Sequence, residues 1–202
     1  ICGPFLGRRV TMSGLLATHS GELIDFSKIA VTKFKLDDIA HHLSNICRYG
    51  GFLDFNLHYS VARHSIHLYD YVRQLGFCEE FQKATLFHDA GEAYLGDLLS
   101  AVKAYCKDYK MLEKEVSHRI FNQYNISQHF IEHSVISHID KCIVLDEVLA
   151  LRPRHYQLFR DVSPVDVYPL GVDIVVDYSV SDKEKTYSEF LQICKSLGIS
   201  DR

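Results

Sequence analysis

Apolar residues recur every three or four positions over most of the chain, which is the spacing of one face of an α-helix. Ile39, Leu43 and Ile46 share such a face in a helix opened by Asp37 and stopped by Gly50-Gly51. A loop with Asp54 and Asn56 follows, and Ser60 opens a second helix with Val61, His64, Leu68, Val72 and Leu75 in register before Gly76. A third helix runs from about Glu79 to Tyr94 through Phe81, Ala84, Phe87 and His88. After Gly96 a shorter one spans about Leu98 to Cys106, and Asp108 opens the next, with Leu112, Val116, Arg119 and Ile120 spaced by three and four. Ser127 caps a long helix through Ile131, Val135, Ile139, Cys142 and Ile143 that ends before Pro153. Ser181 and Glu184 make a capping box for a last helix ending at Gly198. Two stretches break the period. Leu15 to Phe26 holds short apolar runs around Ser20-Gly21, which predict a small β-hairpin. Pro153 to Tyr178 has three prolines and an alternating Val-Asp-Ile-Val-Val-Asp run, and is the least regular part. The pattern predicts one all-α domain over residues 12–202, a bundle of about seven helices with a minor N-terminal β-hairpin. Met12 is the expected start, with Ile1 to Thr11 an N-terminal extension outside the fold.

Composition sharpens the helical reading. Proline is absent from Phe5 through Arg152 and glycine from Asp97 through Leu170, and helix interiors are where both are excluded. The chain has 202 residues, 47% apolar and 24% charged, which excludes a disordered or collagen-like protein. A net charge of −4 gives no basic excess for a nucleic acid polymer, and no apolar run is long enough to span a membrane. Arg8-Arg9 precede no apolar segment, so no secretory signal is expected. The six cysteines contain no CxxC pair and read as reduced thiols of a cytoplasmic protein.

Twelve histidines are unusual for this length, and several fall in the apolar stripes. His64 lies on the inward face of the second helix, one turn before Leu68. His88 and Asp89 are adjacent in the third helix, and Asp140 lies between Ile139 and Cys142-Ile143. A charged group in an apolar stripe costs several kcal/mol unless it is paired or binds a metal. Two imidazoles and two carboxylates from three helices suit one divalent ion with open positions for water and substrate.

The order His64, His88-Asp89, Asp140 resembles the H…HD…D pattern of the HD-domain metal-dependent phosphohydrolases. It is most similar to their small single-domain branch, which contains 5′-deoxynucleotidases and phage dATP triphosphohydrolases. The similarity runs from about Asp37 to Leu149, through Ile46-Cys47-Arg48-Tyr49-Gly50-Gly51, Tyr59 to Ser65, His88-Asp89-Ala90-Gly91-Glu92, Gly96-Asp97 and Lys103. The resemblance implies that His64, His88, Asp89 and Asp140 ligate one divalent ion (cobalt, manganese, zinc, magnesium or iron), with room for further ions on substrate phosphates. It implies that Glu92 orients or deprotonates the attacking water. Arg48 and Lys103 match phosphate-contacting cations, although Leu99-Ser100-Ala101 replaces the usual proline-containing turn before the lysine. Asp97 matches an aspartate that meets the deoxyribose 3′-hydroxyl, and it suits equally the N-cap of the helix that follows. Where triphosphate-cleaving members can carry a lysine one turn before the last aspartate, Ser137 stands here.

The implied reaction is hydrolysis of a deoxynucleotide, since no P-loop is present. Ala93 after Glu92 separates the chain from guanosine-tetraphosphate hydrolases, and it lacks the Gly-Tyr-Pro element of cyclic-dinucleotide phosphodiesterases. A dNTP, with dATP foremost, is expected to yield a deoxynucleoside and triphosphate. Phosphate release from dNMPs is the alternative, and a non-catalytic nucleotide-binding protein is a third. Tyr49, Phe52 and Tyr94 suit stacking on a purine, and suit a core equally well. The resemblance further implies a homo-oligomer in the cytoplasm, the host's if a phage encodes the chain.

Overall fold

The computed structural model describes residues 14–53, 57–131, 134–174 and 182–201. Residues 1–11, Asp54, Asn56, Ser181 and the second half of the alternating valine–aspartate run lie outside them. The fold is all-α with a minor hairpin, as the pattern predicts. Strands β1 (Leu15–Ala17) and β2 (Leu23–Asp25) pair antiparallel around Gly21, which turns the chain at φ 86°. Ten α-helical segments follow among the described residues; the three beyond seven are Glu92–Leu95, separate from the rest of the expected third helix, Gln128–Ile131, described apart from the rest of the long helix, and Tyr156–Val162, where no helix is predicted.

Helix α1 (Leu36–Asn45) starts one residue before Asp37, which therefore caps nothing. Asp37 instead accepts from the Tyr187 hydroxyl, and Asp38 accepts from the Ser20 N–H (2.7 Å) and hydroxyl (2.8 Å), tying the hairpin to α1. Helix α2 (Val61–Gln74) begins as expected, with Ser60 Oγ accepting from the Arg63 N–H at 3.1 Å. The expected third helix breaks. Helix α3 (Glu79–Phe87) stops and α4 (Glu92–Leu95) restarts after a tight turn. The cause is His88: its Nδ1 bonds the Thr85 carbonyl at 2.7 Å, competing with the Asp89 N–H that an α-helix would seat there. Helix α5 (Ser100–Lys103) is shorter than the predicted Leu98 to Cys106 segment, and α6 (Lys107–Tyr124) is close to the expected one. The long helix capped by Ser127 is described as α7 (Gln128–Ile131) and α8 (Ser134–Leu151). Helix α9 (Tyr156–Val162) lies in the stretch expected to be irregular, and α10 (Asp182–Ser196) closes the fold.

Helix α2 is central, packed by α1, α3, α8 and α10. It buries ten of its residues, His64 and Leu68 completely, so a polar side chain placed there is held without freedom to move. Phe34, Ile39, Leu43, Phe87 and Phe190 fill the core around it. No helix among the described residues is long and apolar enough to cross a membrane.

Candidate metal centre

Three structural units deliver four donors to one point. His64 comes from the middle of α2, His88 and Asp89 from the turn between α3 and α4, and Asp140 from α8. His64 Nε2 lies 3.3 Å from His88 Nε2, 3.1 Å from Asp140 Oδ1 and 3.8 Å from Asp89 Oδ2. His88 Nε2 lies 3.2 Å from Asp89 Oδ2 and 3.8 Å from Asp140 Oδ1. Ligands that share one ion at about 2.1 Å stand roughly 3–3.5 Å apart, and the separations of 3.1–3.8 Å are close to that spacing. His64, His88 and Asp89 thus form a group able to hold a metal ion, with Asp140 beside it.

The far sides of both rings support the same reading. His88 Nδ1 faces the Thr85 carbonyl, and His64 Nδ1 faces Glu147 Oε1 at 2.5 Å. Both partners accept only, so each Nδ1 carries the proton and each Nε2 presents a lone pair. Two lone pairs aimed at each other across 3.3 Å repel unless a cation or proton sits between them. Without an ion a proton takes that place. Burial opposes charge on His88, but Asp89 and Asp140 outweigh it and push its pKa well up. The same pairing, against the cost of burial, holds Asp89 at about 2 and Asp140 well below the usual carboxylate range. A divalent ion supplies the missing charge better than one proton can.

Sequence reasoning missed Glu147, which is completely buried. Its Oε1 accepts from His64 Nδ1 and from the Tyr59 hydroxyl at 3.1 Å. Its Oε2 accepts from the Tyr49 hydroxyl and lies 3.5 Å from Arg48 Nε. Despite burial, Arg48 and His64 keep it ionised, at about 2. A signal existed in its spacing: Glu147 stands two turns after Asp140 on α8, beside Asp146 and among Ile143, Val144, Leu145 and Val148.

A cleft of about 560 Å³ opens on the donors, lined by Arg48, Tyr49, Asp89, Glu92, Asp97, Lys103 and Asp140. Arg48 and Tyr49 reach it because the chain turns back on itself, with Tyr49 at φ 60° and Gly50 at φ 58°. A tyrosine in the left-handed region is uncommon and costs about 1–3 kcal/mol, met here by its bond to Glu147. Arg48 NH1 is 3.5 Å from Asp89 Oδ2, and its Nε has no hydrogen-bond partner. Glu92 is buried, with Oε1 3.3 Å from Lys103 Nζ and Oε2 without a partner. Burial and the carboxylates of Asp89 and Asp97 push its pKa well up, against Lys103 and Arg48. Lys103 also bonds Glu113 at 2.6 Å. Asp97 caps no helix: Leu99 holds the N-cap position of α5, so the aspartate faces the cleft instead. Tyr94 is the exception among the expected residues. It lies in the core, its ring 4.6 Å from Phe34 and 5.7 Å from His42, and its hydroxyl is buried without a partner. Phe159, from the segment expected to be irregular, and Arg152 just before that segment complete the cleft wall with the exposed Phe52. A second cleft of about 370 Å³ shares Asp89, Glu92 and Lys103 with the first and adds His88, Lys110, Glu113 and Lys114. Ser137, with His138 and Lys141, lines a different hollow beside Pro164.

No family model matches the chain. Among curated proteins it is similar to the uncharacterized protein YfdR of Escherichia coli (strain K12), at 36% identity over 111 residues, or 55% of this chain and 58% of that protein. It is also similar to the uncharacterized protein RCAP_rcc00048 of Rhodobacter capsulatus, at 34% identity over 87 residues, or 42% of this chain and 44% of that one. The chain thus spans about half the length of the curated relatives it matches. Neither name assigns a reaction.

Proposed function

We propose that the chain is a divalent-metal-dependent phosphohydrolase of the HD-domain type acting on deoxynucleotides, foremost dATP, to release a deoxynucleoside and triphosphate. The observation that carries this reading is the meeting of His64, His88, Asp89 and Asp140 at one wall of a cleft that also holds Glu92, Arg48 and Lys103.

These four residues would hold the ion. When bound, it supplies Lewis acidity toward a phosphoryl oxygen and acidifies water. Glu92 does the proton work. A buried carboxylate with a raised pKa and one unpartnered oxygen takes a proton from water readily and passes it on. Water oxygen bonds to the α-phosphorus, the bond from phosphorus to O5′ breaks, and the proton ends on O5′. Arg48, with its Nε unpartnered, and Lys103 offset charge on the phosphate oxygens, which is most of what phosphoryl transfer asks of a protein. Tyr49, Phe52 and Phe159 offer apolar faces for the base on the same cleft. Lys110 and Lys114 in the second cleft favour a long phosphate chain over a monophosphate, in the absence of a lysine at Ser137.

Incubation with each dNTP and dNMP plus manganese or cobalt, followed by ion-exchange separation, tests this. Deoxyadenosine together with intact triphosphate is the expected result. Orthophosphate from monophosphates alone moves the assignment to a 5′-deoxynucleotidase. Silence across the panel with metal bound favours a nucleotide-binding protein. Asp89→Ala should abolish turnover while keeping the helical circular dichroism; unchanged turnover in that variant refutes the metal-site mechanism.

A further inference from the structure

We propose that Glu147 is a positioning residue that couples the metal ligands to the substrate cleft, one carboxylate oxygen serving each side. The inference rests on the metal-centre reading and is independent of which nucleotide is cleaved.

A fully buried carboxylate is costly, and an apolar side chain of similar size usually serves stability as well or better. Every partner of Glu147 nevertheless belongs to the site or supports it. Oε1 takes the Nδ1 proton of His64, which fixes the ring's tautomer and leaves Nε2 as the donor to an ion. The Tyr59 hydroxyl braces that same oxygen at 3.1 Å and meets His67 Nδ1 at 2.8 Å behind it. Tyr59 has one proton, so it donates to Glu147 and accepts from His67, and the relay ends in the core. Oε2 faces the other way. It accepts from Tyr49, holding the left-handed turn, and lies near Arg48 without closing to a hydrogen bond. Arg48 is therefore suspended between Glu147 and Asp89, 3.5 Å from each, with donors left for a phosphate. The lone pairs of the carboxylate are thus divided between a metal ligand and the cleft wall.

The test uses the full chain stripped with chelator and titrated with cobalt(II) alone, followed by dATP kinetics on the reloaded protein. Glu147→Gln keeps the shape and an acceptor but loses the charge; cobalt should bind about 10-fold more weakly, and about 100-fold more weakly in Glu147→Ala. In Glu147→Gln the KM for dATP should rise several-fold. Tyr49→Phe should raise KM while cobalt affinity stays within about twofold of the parent, because it touches only Oε2. A purely structural glutamate would lower the melting temperature and leave the cobalt affinity of the folded variants alone, and that result overturns the proposal. Failure of Glu147→Gln to fold overturns it as well. A parent chain that takes up no cobalt removes the metal centre and this inference together. Cobalt binding that depends on Glu147, with no nucleotide hydrolysed, keeps the inference and refutes the proposed function.

Discussion

Gly91 lies where the α3–α4 turn meets α6, directly before Glu92, and a single methyl group there probes how the site is braced. Its backbone is helical, at φ −61° and ψ −30°, so alanine fits the chain itself. The added methyl overlaps the Ser117 hydroxyl of α6, although it meets Ser117 Cβ at 3.5 Å and the Glu113 carbonyl at 3.4 Å, both tolerable. Overpacking of this kind costs about 1–3 kcal/mol. Glycine to alanine at a helical position returns about 0.4–1 kcal/mol by restricting the unfolded chain. Gly91→Ala should therefore lose about 1 kcal/mol. In a Ser117→Ala background the clash is gone and the same change should gain about 0.5 kcal/mol, a coupling of about 1.5 kcal/mol. Urea unfolding of the four proteins, without metal, measures all of this. Effects that add to within about 0.5 kcal/mol refute the argument, since they mean Ser117 turns aside freely. The pair carries a catalytic readout too: Gly91→Ala should lower kcat by shifting Glu92, and Ser117→Ala should restore it.

Two further outcomes follow from buried groups outside the donor set. Burial, with Arg63 nearby, pushes His67 down to about 4, so the folded protein refuses a proton that the unfolded chain accepts near 6.5. Stability should be intact above pH 6.5 and fall by about 3 kcal/mol as pH drops to 4. His67→Asn, which keeps the donor to Tyr59, should flatten that loss in urea titrations; parallel curves for the two proteins refute it. Tyr94→Phe removes a buried hydroxyl that has no partner, so stability should hold or rise by up to about 1 kcal/mol, and the KM for any nucleotide should not change. A raised KM would return Tyr94 to the cleft.

Much of this was legible in the chain. The three-to-four spacing, the Ser60 cap and the proline-free middle predict the helices, because burial of one stripe is a local signal. The break after Phe87 was not, since it depends on a side chain, His88, competing for a carbonyl in three dimensions. The donors stood out as polar groups in apolar stripes, whereas Glu147 stands beside Asp146, and two adjacent acids do not show which one turns toward the site. Its neighbour in fact points elsewhere: Asp146 accepts from the Leu170 and Gly171 N–H groups at 2.7 and 2.9 Å. Tyr94 failed for the opposite reason. An aromatic residue near a site in sequence is one helical turn from either the cleft or the core, and only packing decides which.

The donors are scattered, with His64 on α2 and Asp140 on α8, and this sets the order of events during synthesis. On a ribosome the first three donors emerge well before Asp140, and Glu147 follows only afterwards. Until α8 has docked on α2, His64 has no acid behind its ring and the half-built site lacks one of its walls. Tight loading of the proposed ion would therefore wait for α8, and a nascent chain halted before α8 should compete poorly for metal in the cell.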